Sequence, residues 1–457
     1  MSGALLTDLY ELNMAASYLR RGMTAEATFS LFVRTLPPNR GFLVAAGAED
    51  CLGWLEQFSF EPPDLDYLGS IGFDDRALDD FGALRFTGEV RGVPEGRLVL
   101  AGEPLLEVTA PIAEAQLVET YLLNQVSFQT MLATKAARCS LAAAGRIELV
   151  DFGFRRAHGI EAGVAAARLS AMTGFVATSN VEAARRFGLP LAGTMAHSYI
   201  SAFPTEREAF LAFASDLPER TTFLVDTYDT VAGVGHAIEV IRQLGLQDRA
   251  GIRIDSGDLV ELSRRGRRML DDAGLPEVRI FVSGGLDEYD LAHLVAEGAP
   301  VDGAGVGTRM SVSADAPYLD TAYKLVSYAG RPVAKFSPDK ATLPGRKQVF
   351  RGPAFADTIT LHDEDGPPGT VPLLEPLMAE GRRLEPPQPL SSAQARFEGD
   401  MAGLPEPARD VEHPIPPVVR LSPRLRALTD RVRAAAGDGP RRRKSAHKPE
   451  GGADPAQ

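Results

Sequence analysis

Leu191-Ala-Gly-Thr-Met-Ala-His197-Ser198 sets a short apolar run ahead of a helical one, with a single histidine on the turn between them. Pro190–Ala192 reads as a buried strand and Tyr199–Leu211 as helical. The same alternation repeats in both directions. Strand-like runs begin near Ile147, Phe175, Pro190, Thr222, Gly251, Val278 and Pro300, with helical segments between them at about 159–172, 181–187, 198–214, 231–244, 258–273 and 287–297. Seven strands alternating with helices predict a parallel α/β unit. An irregular α/β barrel is its natural closure, and an open doubly wound sheet is the alternative. Both folds keep their chemistry at the carboxyl ends of the strands, where His197 falls. A histidine there can act as base, ligand or phosphoryl acceptor. A helix-capping turn carrying an incidental ring is the plainer reading.

The flanks differ in character. Residues 7–22 carry Leu9, Leu12, Ala16 and Leu19 at helical spacing, with Thr7 or Asp8 as cap. Residues 27–34 and 86–110 read as strands, and about 113–144 as a long helix. Strands and mixed structure return over 320–435. The expected division is an N-terminal part of a second α+β domain (1–130), the barrel with the active site (131–320), a C-terminal part packing back on the N-terminal one (321–436), and a disordered tail (437–457) containing the basic run Arg441–Lys444.

Composition narrows the function. The 457 residues are 44% hydrophobic and 24% charged, as in ordinary globular proteins. A net charge of −13 argues against nucleic acid or an anionic membrane as main partner. Phosphates must then be held by local basic and glycine-rich pockets. Two cysteines, Cys51 and Cys139, make neither a disulfide framework nor a metal-ligand spacing, which fits a reducing, cytoplasmic setting. No secretory signal or membrane span is expected.

The strand ends gather polar residues: Asp151-Phe152-Gly153-Phe154-Arg155-Arg156, Thr178-Ser179-Asn180, Gly193-Thr194, Asp226-Thr227-Tyr228-Asp229, Arg253-Ile-Asp255-Ser-Gly-Asp258, Ser283-Gly284-Gly285 and Gly305-Val-Gly307-Thr308. The last two let backbone N–H groups approach an anion closely, as barrel phosphate sites do; tight turns alone would also explain them. Arg253 and Asp255 share one strand face, because side chains alternate with period two. The carboxylates can hold ribose hydroxyls or a magnesium–phosphate complex, or simply cap the next helix. Phe152 followed by Arg155 and Arg156 suits a flat, anionic aromatic ligand. Asp151-Phe-Gly also spells a kinase metal-loop triplet, but no His-Arg-Asp loop accompanies it.

These pieces, together with Leu5-Leu-Thr-Asp-Leu-Tyr10-Glu-Leu-Asn-Met14, Gly41-Phe-Leu-Val-Ala-Ala-Gly47, Tyr323-Lys-Leu-Val326 and Thr342-Leu-Pro-Gly345, resemble the nicotinate phosphoribosyltransferase family in order and spacing over roughly residues 5–350. The resemblance implies an irregular barrel plus a second domain built from both chain ends. It implies formation of nicotinate mononucleotide and pyrophosphate from nicotinate and phosphoribosyl pyrophosphate, with coupled ATP hydrolysis, in NAD salvage. His197 matches the histidine phosphorylated by ATP. Tyr10 and Phe152 match aromatics that sandwich the pyridine, with Tyr10 reaching a neighbouring subunit's site in a homodimer. Arg155, Thr194 and Arg253 match positions around nicotinate, and Asp255 a catalytic position beside the ribose. Ser283, Gly284, Gly285, Gly305, Gly307 and Thr308 match the phosphate loop. Mg2+ accompanies pyrophosphate and ATP. The related nicotinamide enzymes carry an acidic residue in the strand matching Val176–Asn180, which is neutral here. A phosphosugar lyase or isomerase on the same barrel leaves Tyr10, Phe152 and the His197 turn without a task; a non-catalytic phosphoribosyl sensor is the third reading, under which His197→Ala would leave binding intact.

Overall fold

Short aliphatic runs, each closed by a glycine or polar turn, build the parallel sheet. In the computed structural model, which describes residues 3–337 and 341–437, its strands are Glu148–Asp151, Ala177–Thr178, Thr222–Leu224, Gly251–Ile254, Arg279–Val282 and Gly303–Val306. Their spatial order is 177, 148, 303, 279, 251, 222, and every pair is parallel. Ile252, Ile254, Ile280, Val282, Ala304 and Val306 are buried in the cores beneath the outer helices. The alternate residues Glu148, Val150, Phe281 and Arg279 face the other way and line one lumen of about 640 Å3 with Ala177 and Thr222 from the two edge strands. Both edges bordering one cavity make the sheet an irregular α/β barrel, as expected.

Two details differ from the sequence reading. The seventh strand, at Pro190, shrinks to a single parallel bridge between Thr178 and Leu191. Pro190 has no N–H to donate and Gly193 brings no side chain to pack, so pairing stops there. That leaves a seam between Leu191 and Thr222. The helix expected over 198–214 divides into His197–Ser201 and Glu206–Asp216. Pro204 disfavours helical backbone at Phe203, and Thr205 caps the second helix by accepting from Glu208 N at 3.2 Å.

The second structural unit draws on both ends of the chain. Among the described residues a seven-stranded antiparallel sheet runs in the order 331–332, 321–328, 26–33, 104–111, 89–92, 375–379, 382–383. The strand Glu26–Val33 lies between Pro104–Pro111 and Thr321–Tyr328, so the sheet joins both ends of the chain. The opening helix, Leu9–Arg20, is not capped as expected: Asp8 accepts from Thr120 Oγ1 at 2.9 Å and Thr7 turns to Glu11. Helix Glu119–Ala143 joins the two units, with Thr134 Oγ1 accepting from Val44 N at 2.9 Å on one side and Lys135 and Arg138 reaching Glu288 on the other. Among the described residues no helix is long and apolar enough to cross a membrane. The tail expected to be disordered, with Arg441–Lys444, lies beyond residue 437 and outside the described residues.

Arg351 meets Asp357 at 2.7 Å and Asp400 at 3.0 Å, and Asp400 in turn pairs with Arg97 at 3.0 Å, tying the C-terminal part to the N-terminal one. Beside Arg351, Glu103 is fully buried, and burial, with Asp357 next to it, pushes its carboxyl well above the usual range. Ionised, it would set a second buried carboxylate against Asp357, so folding favours the neutral acid. A raised folded pKa gives stability that is fully present below about pH 4.5 and lost as pH rises through the folded value. Glu103→Gln, which keeps a donor and cannot ionise, is therefore expected to gain on the wild type in thermal melts as pH rises above about 5. Parallel curves would contradict this account.

Candidate active site

Arg253 stands on the lumen side of Gly251–Ile254, and its fork reaches three different segments. Nε donates to Ser283 Oγ at 2.7 Å, Nη1 to Thr194 Oγ1 at 2.9 Å and Nη2 to Asp255 Oδ1 at 2.5 Å. Ser283 Oγ donates to the same Asp255 oxygen. The guanidinium also lies 5.5 Å above the Phe152 ring, within cation–π range. One cation thus holds the ends of two strands, the turn before His197 and an aromatic wall.

Phe152 is placed by the strand that precedes it. Its N donates to Val306 O at 2.8 Å. Asp151, fully buried, accepts from Gly153 N at 2.9 Å and Thr178 Oγ1 at 2.7 Å. Burial raises its pKa, and those two donors pull it back. The ring lies directly over Gly305, where a Cβ would sit 2.4 Å from Cδ2. A side chain at Gly307 would stand 2.7 Å from Phe152 O, and one at Gly284 2.0 Å from Asp255 O. Gly284 also has φ +110°, which L side chains rarely adopt. Close approach therefore requires glycine at 284 and 307 against backbone and at 305 against the Phe152 ring, whereas Gly285 has open space and only a positive φ of +75°.

A cavity of about 310 Å3 opens against this wall, lined by Phe152, Phe154, Arg155, Ser179, Thr194 and Arg253. Arg155 makes no hydrogen bond or ion pair among the described residues, so its guanidinium is uncommitted; Arg156 does not line the cavity. Asp255 is half buried. Burial opposes its charge, but Ser283, Arg253 and nearby His197 outweigh it and hold the carboxyl below the usual carboxylate range. Asp226 Oδ2 accepts from Asp255 N at 2.9 Å and Ser256 Oγ at 2.7 Å, while its Oδ1 is buried without a partner. His197 opens its short helix on the exposed rim, Nδ1 3.1 Å from Thr227 Oγ1.

The structure therefore brings together Phe152, Thr194, Arg253, Asp255, Ser283, Gly284, Gly305 and Gly307. Arg155 borders the cavity, His197 adjoins Asp255, and Gly285 and Thr308 continue the two turns. Tyr10 stands apart, 48% exposed on helix Leu9–Arg20 beside Asp8, Glu11 and Glu119, with its hydroxyl pKa raised by burial and by those carboxylates. Sequence reasoning gave no role to Ser179, Asp226 or Thr227. Each stands on a polar strand end, and that position was the available signal.

Comparison with known proteins agrees with this geometry. A model described as the nicotinate phosphoribosyltransferase (NAPRTase) N-terminal domain matches residues 5–127, and one described as the nicotinate phosphoribosyltransferase (NAPRTase) family matches residues 147–348. The chain belongs to the nicotinate phosphoribosyltransferase family. A nicotinate phosphoribosyltransferase of Mycobacterium tuberculosis is 48% identical over 90% of this chain and 89% of its own length. That of Homo sapiens is 33% identical over 95% and 97%. The crystal structure of human nicotinic acid phosphoribosyltransferase superposes with a TM-score of 0.81 at 31% identity, covering 93% of this chain and 99% of that one. As in other members of the family, the barrel and the domain shared by the chain ends form one fold.

Within this family frame Thr178 supports Phe152 through Asp151. Thr178→Val leaves a buried carboxylate oxygen without its donor and is expected to cost about 1–3 kcal/mol in urea unfolding. A loss under about 0.3 kcal/mol would show that the bond holds nothing in place.

Proposed function

We propose that this chain transfers the phosphoribosyl group of phosphoribosyl pyrophosphate to the pyridine nitrogen of nicotinate, releasing pyrophosphate, with ATP hydrolysis coupled through His197. The Arg253 fork carries this reading, because it assembles an aromatic wall, a carboxylate and a glycine turn around one cavity. Phe152 offers its face to the pyridine. Arg155, free of other partners, meets the carboxylate, while Arg253 and Thr194 fix its position. Ser283, Gly284, Gly285, Gly305, Gly307 and Thr308 cradle the 5′-phosphate with backbone N–H groups. Asp255, held ionised, faces the ribose and stabilises the positive charge that builds on the sugar as the C1–oxygen bond breaks. The neutral pyridine nitrogen, aligned by the stacked ring, attacks C1. Magnesium supplied with the polyphosphates would neutralise charge on the leaving group. The carboxylates of Asp226, with its unpartnered oxygen, and Asp255 suit a hard cation carried by substrate oxygens.

His197 takes no part in the glycosyl step. Phosphorylated by ATP, it places about two negative charges beside Asp255 and reverses the electrostatic support the ring now gives that carboxylate. The site then shifts between tight and loose states. Residues 1–130 and 321–436 form the second domain, 131–320 the barrel, and the enzyme works in the cytoplasm for NAD salvage as a homodimer. Tyr10 of the partner subunit closes the open face of the pyridine, consistent with its exposure away from its own chain's cavity.

The amide is disfavoured because a charged hydrogen bond to a carboxylate contributes about 1.5–3 kcal/mol, roughly 10–100-fold. Incubating the protein with nicotinate, phosphoribosyl pyrophosphate, ATP and magnesium is expected to yield nicotinate mononucleotide; product from nicotinamide alone would refute the assignment. His197→Ala should abolish stimulation by ATP and leave slow basal turnover. Ser179→Asp places a negative charge on the cavity wall and should lower kcat/KM for nicotinate roughly 10–100-fold, with a smaller change for nicotinamide. Equal losses for both substrates would remove Ser179 from the specificity account.

A further inference from the structure

Behind the two glycine turns lies a group of buried charges that the reaction does not use. Lys135, on the long helix Glu119–Ala143, is 1% exposed, and its ammonium binds two carboxylates at once. One is Glu288, five residues after Ser283 and fully buried. The other is Asp315, ten residues after Gly305, at 2.7 Å from Nζ. The first carboxylate belongs to the segment leaving the Ser283–Gly285 turn and the second to the segment leaving the Gly305–Thr308 turn.

We propose that Lys135 is a positioning residue for the phosphoribosyl pocket: its single buried ammonium, bridging Glu288 and Asp315, fixes the spacing of the two glycine turns. This rests on the reading of those turns as the phosphate cradle.

Three observations support it. The bridge is anchored from both sides, so it can transmit position. Arg138 Nε holds Glu288 Oε1 at 2.9 Å, and Arg40 holds the two Asp315 oxygens at 2.8 and 3.1 Å. Arg138 is itself tied to Val411 O at 2.6 Å, and Asn39 donates to Asp315, so the cluster is braced by three distant parts of the chain. Second, the strands leading into the turns are paired only as far as Val282 and Ala304; beyond them, Asn39 donates to Tyr289 Oη at 3.3 Å as well as to Asp315, and Arg309, which meets Asp287 at 2.9 Å and Asp290 at 3.1 Å, is half exposed and screened by solvent. Third, Asp315 is more than half buried. Burial opposes its charge, yet Arg40 and Lys135 keep the carboxyl far below the usual range. Without the ammonium, Glu288 and Asp315 are two like charges facing each other in a poorly solvated space, and they separate. Each keeps an arginine, so the fold has the means to persist while the turns move apart.

Lys135→Met is expected to raise KM for phosphoribosyl pyrophosphate roughly 10–100-fold, the cost of displacing a binding element by about an ångström, with KM for nicotinate within about twofold. Lys135→Arg, which keeps the charge, should recover most of the loss. Asp315→Asn removes the repulsion. Combined with Lys135→Met it should give less than the sum of the single effects, as coupled neighbours do. If Lys135→Met lowers Tm but leaves both KM values unchanged, the lysine is merely structural and the proposal fails. If Lys135→Met does not fold, the Asp315→Asn and Lys135→Arg variants decide by the same ratio of KM values. A wild-type enzyme that makes no mononucleotide from nicotinate and phosphoribosyl pyrophosphate would instead overturn the cradle reading itself.

Discussion

The site depends on one guanidinium. Arg253 sends one donor to each of three acceptors on its own strand end, on the next strand and on the turn before His197. A planar fork does this without rotating, which a flexible ammonium cannot, so lysine would not substitute. The arrangement has a price in desolvation, met because Asp255 lies 2.5 Å from Nη2 and Phe152 presents its π face from below. With its donors committed, Arg253 is a structural cation as much as a binding one. The uncommitted charge at the cavity is Arg155.

Close packing of backbone explains the glycines better than loop flexibility does. A methyl group at Gly305 would overlap the Phe152 ring, at Gly307 the Phe152 carbonyl, and at Gly284 the Asp255 carbonyl. These contacts link the phosphate turns to the two residues assigned to pyridine and ribose. The strand ends approach because three side chains are missing, and the same absence exposes N–H groups to an anion. Under the proposed function, phosphate cradle and ring wall are one packing solution.

Much of this was legible in the sequence because it is local. Alternating aliphatic runs and polar tips located the strands, and period-two geometry placed Arg253 and Asp255 on one face. What escaped was either non-local or signalled by residues given too little weight. Phe203-Pro204-Thr205-Glu-Arg-Glu208 carries both a helix stop and a new cap, and the helix does break there. The weak pairing of Leu191 follows from Pro190 and Gly193, whose lack of hydrogen bond and side chain is plain in the chain. Thr227 beneath His197, and Lys135 between Glu288 and Asp315, could not be seen: the partners lie 30, 153 and 180 residues apart, and no periodicity joins them. Tyr10 illustrates the same limit, since its own helix gives no indication of what its exposed ring meets.

An acidic chain that holds polyanions must solve a charge problem, and the way it does so separates near from far. The net −13 is spread over the surface, where salt screens each charge beyond about 8 Å. Near the glycine turns the balance differs. Arg40, Lys135 and Arg138 face Glu288 and Asp315, three cations against two carboxylates, in a space where Lys135, Arg138 and Glu288 are almost wholly removed from water. Arg309, set against Asp287 and Asp290, tips the other way, but it is half exposed and its field is weakened by solvent. Buried charges act through low dielectric and exposed ones through water, so equal counts do not cancel. The interior cluster therefore sets a net positive charge behind the turns, while Asp255, hydrogen-bonded to Ser283 and paired with Arg253, faces them from the other side.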